Sequence, residues 1–314
     1  MDVAPGWTDQ EATDFAEFVA PLSNWGRWGP DDELGTVNLL TAERAAAATA
    51  LVRSGQRFSL ARPITTKSAS DNPQPMIHLM KASGEGAAAV GGSHASDWFG
   101  LGYHGFTTTH LDAHSHQFFG RQMFNGRPAE AVSTRSGAAH GAVDAFAAGL
   151  IGRGVLLDAP RAAGRPWLEP GEGLGPDELD AIAAAERVRL EVADLVLIRT
   201  GRDTRAAEHG VLNPMIDGSP GLTRAALSWL RAHDVAVLGS DVQADVMHPG
   251  QRAHAMPVHA GALVFLGLPL LDNLALEDLA NECAARARWD FLLVVAPLPL
   301  ARFTGSPVNP IAVL

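Results

Sequence analysis

The second half of the chain alternates short, largely apolar runs with longer amphipathic ones. Residues 153–158, 195–200, 235–238 and 290–295 are rich in Val and Leu with little polar alternation, the pattern of strands buried on both faces. Between them, residues 176–187 open on Pro176, which suits a first helical turn. Residues 223–233 place Leu227 and Leu230 on one side of a helix, and residues 275–288 predict another. Strand and helix in alternation define the class as α/β. The first half is less regular. Residues 1–40 read as loop-like, punctuated by Trp25-Gly26-Arg27-Trp28-Gly29-Pro30. Thr41 can cap an alanine-rich helix to about residue 53, closed by Gly55. Residues 56–61 and 76–80 read as strands, 63–75 and 84–92 as loops, and 304–310 as irregular. Residues 103–116, rich in Thr and aromatics, predict a strand running into a turn. No repeat, low-complexity segment or linker divides the chain, so residues 1–314 are expected to form one domain, with 1–20 as a loose N-terminal arm.

Composition narrows the function. Hydrophobic residues make up 46%, enough for a sizeable core. The net charge of −11 opposes binding to phosphate backbones, so no nucleic-acid partner is expected. Cys283 is the only cysteine, which excludes an intrachain disulfide and a thiolate metal cage. The N-terminal residues lack a basic stretch ahead of an apolar one and do not read as a signal peptide. The longest apolar run, 258–271, contains a proline and falls short of the about 20 residues a membrane span needs. The expectation is a cytoplasmic protein acting on a small molecule, with no membrane partner.

Of twelve histidines, three fall within seven residues, in Thr109-His110-Leu111-Asp112-Ala113-His114-Ser115-His116. On an extended strand, side chains two apart point the same way, so His110, Asp112, His114 and His116 are expected to share one face. Imidazoles beside a carboxylate are ligand chemistry for zinc, manganese or iron, and an N/O set with an open position is usual for a catalytic ion. The plainer alternative is a polar face on a half-buried strand.

The segment resembles the cyclase family of metal-dependent hydrolases, which includes kynurenine formamidase and isatin hydrolase. Their signature, approximately His-x-x-x-Thr-His-x-Asp-x-Pro-x-His, is matched in register by Thr109, His110, Asp112 and His116. Further pieces follow in order: Asn24-Trp25-Gly26-Arg27-Trp28-Gly29, Leu34-Gly35-Thr36-Val37-Asn38, Phe124-Asn125-Gly126, Ser240-Asp241, Pro257-Val258-His259, Asp272-Asn273-Leu274, Ala296-Pro297-Leu298-Pro299 and Gly305-Ser306-Pro307. The resemblance implies a swivelling β/β/α-type domain with a barrel-like β core, assembled as a homodimer or homotetramer.

It also implies roles. His110 and Asp112 are metal ligands, with Asp112 able to bridge two ions, and His116 is the acid/base. His259 and Asp272 complete the set, Asp272 standing where relatives commonly place Glu. Two positions depart from the pattern. Phe106 replaces the family histidine four residues before His110, and His114 replaces the motif proline. Phe106 implies a single divalent Zn or Mn ion, or two if His104 or His114 fills the gap. Trp25 and Trp28 are candidates for an aromatic substrate wall or for packing, Asp241 for the site or a cap, and His254 for the site or the surface.

The implied reaction is hydrolysis of an amide, lactam or lactone by metal-activated water, with His116 moving the protons. The chain contains no Gly-x-Ser-x-Gly elbow that would argue for a serine nucleophile. The competing readings are a polyketide-type cyclase or dehydratase, and a catalytically silent metal- or ligand-binding homologue.

Overall fold

The computed structural model, which describes residues 6–85, 92–250 and 255–314, is organised by one nine-stranded sheet. Its strands are β1 (Arg57–Ser59), β2 (His110–Asp112), β3 (Leu150–Asp158), β4 (Leu195–Arg199), β5 (Val237–Ser240), β6 (Leu270–Asp272), β7 (Asp290–Val295), β8 (Gly305–Pro307) and β9 (Ile311–Val313). They lie in the order β1-β9-β7-β3-β4-β5-β6-β2-β8. The four central strands, β3 to β6, run parallel. Antiparallel strands flank them on both sides, and the sheet curls into a half-barrel.

Burial on both faces explains the continuous apolar runs. Val155, Leu157, Val196, Ile198 and Leu238 point into one core, where helices α3 (Pro176–Glu186) and α5 (Ala226–Ala232) pack. Their neighbours Leu156, Leu195, Leu197 and Val237 point into the other, which Leu279, Ala280 and Cys283 of α6 (Glu277–Arg286) close. The remaining numbered helices are α1 (Asp9–Val19), α2 (Ala42–Thr49) and α4 (Arg202–His209).

The N-terminal segment departs from the loop-like, loose reading. Thr8 and Glu11 form a capping box, in which Glu11 N donates to Thr8 Oγ1 (3.2 Å) and Thr8 N to Glu11 Oε2 (2.8 Å). Helix α1 then buries Phe15 and Val19 completely, with Phe15 among the rings of Trp7, Phe119 and Phe265. Thr-x-x-Glu ahead of a run with apolar spacing was the signal for this helix.

The apolar run 258–271 is three elements. Pro257–His259 starts a helix, Ala260–Leu266 continues it with π-type turns, and Gly267 in the left-handed region (φ 60°) redirects the chain into β6. The helix end leaves carbonyls without internal partners, and the N-terminal segment supplies donors to them. Trp25 Nε1 donates to Val264 O (2.6 Å), Asn24 N to Phe265 O (2.9 Å), Asn24 Nδ2 to Leu266 O (2.9 Å) and Thr36 N to Gly267 O (2.8 Å).

Other elements differ in detail. Residues 304–310 are not wholly irregular, because 305–307 form edge strand β8, where Pro307 needs no ladder donor on its open side. The strand expected at 76–80 is Ile77–Ala82 of a hairpin whose second strand is Ser96–Gly100. Most of the loop read at 84–92 lies outside the described residues. Among the described residues, no helix is long and apolar enough to cross a membrane.

Gly35 tests the seam between the N-terminal segment and the helix end. Its φ of +56° disfavours any side chain, and a Cβ there would lie 2.0 Å from the carbonyl oxygen of Gly267. Gly35→Ala should cost on the order of 2 kcal/mol or more, since the obstruction is backbone. A melting temperature within a degree of the parent would contradict this packing.

Candidate metal centre

Strand pairing builds the first part of the site. β2 lies between β6 and β8, and in the antiparallel register His110 stands opposite Asp272. Directly opposed residues share a face, so His110 and Asp272 stand side by side, and Asp112, two residues on, joins them. All three are buried, at 2%, 3% and 1% exposure. On the other neighbour, Gly305 stands opposite Asp112. A Cβ on Gly305 would lie 2.9 Å from His104 Cε1 and 2.5 Å from Leu111 O, so the bare backbone makes room for His104.

Four imidazoles surround the Asp112 carboxylate. Oδ1 faces His104 Nδ1 (2.8 Å) and His110 Nε2 (3.4 Å), and Oδ2 faces His259 Nε2 (3.7 Å) and His116 Nε2 (3.8 Å). His259 Nε2 also lies 3.3 Å from Asp272 Oδ2. The inward nitrogens of two rings are fixed from behind. His110 Nδ1 is 2.8 Å from Thr108 O, and His259 Nδ1 is 2.6 Å from Asp245 Oδ2. A carbonyl or carboxylate oxygen only accepts, so each Nδ1 carries the proton of that bond.

The alternation expected to put four side chains on one face stops at Asp112. Residues 114–116 form a tight 3-10 turn closed by His116 N to Ala113 O (2.9 Å). The turn brings His116 back to the carboxylate and stacks it on His104, ring centroids 3.9 Å apart. It turns His114 the other way, between Phe124 (4.9 Å) and Phe146 (5.5 Å), fully buried and with neither ring nitrogen hydrogen-bonded. His114 is therefore a core residue and not an accessory ligand. Trp25 is not at the centre either. It stacks on Phe265 at 5.5 Å, on the helix that carries His259. Trp28 lies under the Arg27 guanidinium. Asp241 accepts from Thr200 N, Thr200 Oγ1, Gly201 N and Arg202 N, which makes it the anchor of the turn after β4. His254 lies outside the described residues.

The strand expected from residue 103 begins only at His110, because side chains occupy the loop's carbonyls. Asn273 Nδ2 donates to Gly105 O (2.7 Å) and Thr108 O (3.1 Å). Arg202 donates to Phe106 O, to Asn273 Oδ1 (2.9 Å) and to Asp71 Oδ2 (2.6 Å), and Tyr103 Oη to Gly305 O (2.7 Å). This frame presents His104 to Asp112. His104, not His114, fills the place next to Phe106, whose side chain lines an adjoining cleft with Asp71, Asn72, Gln74 and Tyr103. Arg202, Asn273, Asp71, Asp245 and Gly305 were not singled out from sequence. Only Asn273 and Gly305 fell in motifs already noted, and no motif carried their roles.

Both Asp112 oxygens and Asp272 Oδ1 are buried without a hydrogen bond. Burial alone would raise the Asp112 carboxyl, but the imidazoles of His116, His110 and His104 hold it well below the usual carboxylate range. In return, His110 rises to about 9 against its own burial, driven by Asp112 and Asp272. His259 is raised well above the usual imidazole value by Asp272 and Asp245, again against burial. Burial pushes His116 down to about 4, with Asp112 opposing and the neighbouring imidazoles adding to the fall. Two donor groups, His104–Asp112–His116 and His110–Asp112–Asp272, have ligand atoms close enough to hold a cation, and they share Asp112. Orphaned buried carboxylate oxygens with converging imidazole nitrogens fit a divalent metal.

The sequence profile of a family described as "Putative cyclase" matches residues 45–245, more than half of the chain. The chain belongs to the cyclase family. A solved structure of a novel cyclase is 31% identical, covers 93% of this chain and 99% of its own, and superposes with a TM-score of 0.83. Isatin hydrolase A from Labrenzia aggregata, solved with benzyl benzoate, is 22% identical over 85% of this chain and 96% of its own, with a TM-score of 0.60. A predicted metal-dependent hydrolase from Bacillus stearothermophilus is 15% identical over 82% of this chain and 97% of its own, with a TM-score of 0.51. The last two likenesses concern fold alone. No curated protein sequence matches the chain. The cyclase-family profile takes in His104, His110, Asp112, His116 and Asp245, while His259 and Asp272 fall beyond it.

His114 gives a pH test of the core packed behind the site. Burial depresses its folded-state value to about 4, from 6.5. Above both values the ring is neutral folded or unfolded and costs nothing. As pH falls from 6.5 toward 4, only the unfolded chain takes the proton, so stability is lost across that window. His114→Leu should lose less stability between pH 7 and pH 4.5, by roughly 1–3 kcal/mol in urea titrations. Equal losses in the two proteins would show that His114 is not held neutral.

Proposed function

We propose that this cyclase-family protein is a metal-dependent hydrolase that opens an amide, lactam or lactone bond in a small molecule. The observation that carries the reading is Asp112, a buried carboxylate without hydrogen bonds whose two oxygens each face two imidazole nitrogens. His110, Asp112, His259 and Asp272 would hold a divalent ion, and His104 would add a donor for a second one. This departs from the single ion implied by Phe106. An N/O set without thiolate suits zinc or manganese. Such an ion, when bound, polarises a carbonyl oxygen and acidifies water.

The protein's own contribution is to position and move protons. His110, Asp112, His259 and Asp272 are almost wholly buried, whereas the side chains of His104 and His116 are 28% and 26% exposed. His104 and His116 are thus the imidazoles that both touch the centre and reach the surface, and the family resemblance gives the proton-transfer role to His116. Burial favours its neutral form, the form that can accept a proton from water and return it to the leaving nitrogen or oxygen. Phe106 and Tyr103 line the adjoining cleft and supply an apolar wall for the substrate.

Dialysis against a chelator should abolish hydrolysis of a lactone, lactam and formanilide panel and lower the melting temperature, because ions bound only by the native state stabilise it. Full activity after verified metal removal would overturn the reading. His116→Ala should keep most of the metal and lose about 100-fold or more in kcat; loss of the metal itself would make His116 a ligand. Metal analysis separates one ion from two. His104→Ala should lower the metal content by one ion per chain and His114→Ala should leave it unchanged; one ion per chain in the unmodified protein would return the site to a single ion, and an unaltered count in His104→Ala would remove His104 from the ligands.

A further inference from the structure

Asp245 lies outside both donor groups, fully buried, on the segment that follows β5. Its carboxylate accepts from Val258 N to Oδ1 (2.6 Å), and from His259 N (3.0 Å) and His259 Nδ1 (2.6 Å) to Oδ2. All three donors belong to the start of the helix that carries His259. The two backbone bonds satisfy amides that a helix start leaves free, and they fix where the helix begins. The third bond fixes the ring. It holds the Nδ1 proton and so keeps the Nε2 lone pair aimed between Asp112 and Asp272, at 3.7 and 3.3 Å. Without it, the ring could turn about its Cβ or take the other tautomer, and in either case Nε2 would no longer present a lone pair to the centre.

We infer that Asp245 is a positioning residue that sets the tautomer and aim of His259, and through it the affinity of the centre for its metal. The inference rests on the hydrolase reading above. It assigns Asp245 no contact with substrate or ion. His110 has a neutral carbonyl, Thr108 O, behind it, so His259 is the imidazole with a charged partner at its back. A carboxylate in that position makes the ring a stronger donor, and loss of such a partner weakens metal binding by about 10- to 100-fold.

The test is a zinc dissociation constant, measured by competition with a chromophoric chelator, for the unmodified chain, Asp245→Asn and Asp194→Asn. Asp194 is another buried aspartate, at the opposite end of the parallel strands, where it pairs with Arg153. Asp245→Asn is close in shape but cannot accept through both positions. It should weaken zinc by 10- to 100-fold with near-ultraviolet circular dichroism retained, and Asp194→Asn should bind as the parent does. Parental affinity in a folded Asp245→Asn protein would overturn the inference while leaving the hydrolase reading intact. Absence of zinc and manganese binding in the unmodified chain would overturn that reading and this inference with it. A second measurement does not depend on the variant folding. The zinc-loaded parent, with 15N-labelled histidine, should show a low-field, exchange-protected proton on a His259 nitrogen whose ring partner is metal-bound, and its absence would overturn the inference.

Discussion

A carboxylate taken out of water must find opposite charge or hydrogen-bond donors, and Asp112 has been taken almost completely out of water without hydrogen bonds. Its partners come from two stretches of chain, residues 104–116 and the helix start that carries His259. Asp112 holds its charge because imidazoles face both of its oxygens, and in turn it raises His110 against burial while opposing the fall of His116. Much of the surrounding structure serves that arrangement: the pairing of β2 with β6, the bare backbone of Gly305, the side-chain frame behind His104, and the helix start that aims His259. Removing one imidazole from such a cluster leaves a buried charge less compensated, which is costlier than losing a surface contact.

The parallel strands β3, β4 and β5 were legible because each is apolar on both faces, and helices α3, α5 and α6 because their apolar spacing and Pro176 survive without context. β6, β8 and β9 were not. Three-residue strands carry too little periodicity to be read, and β6 was hidden inside a longer apolar run that only Gly267 divides. The N-terminal helix was legible in principle from Thr8 and Glu11, but its polar composition outweighed that signal.

For the site, spacing and family resemblance located His110, Asp112, His116, His259 and Asp272, and the structure brings these five together. Alternation failed at His114 because a strand's two-residue period holds only while the chain stays extended, and here a 3-10 turn begins directly after Ala113. His104 could not be placed from sequence. The gap left by Phe106 invited a shift in register, but what decides it is a frame contributed from elsewhere in the chain, in which Arg202 and Asn273 donate to loop carbonyls and Asp71 accepts from Arg202. Backbone carbonyls are the same in every sequence, so contacts to them leave no trace in a motif.

Gly305 has one further consequence. His104 and the glycine that makes room for it are about two hundred positions apart in the chain, and Tyr103 is tied to that same glycine's carbonyl. A ribosome making this protein must have translated past residue 305 before His104 has a place to rest. Pairings of such long sequence separation carry a large loop-closure entropy and form late. The order of synthesis keeps the completed centre from existing before strand β8 does.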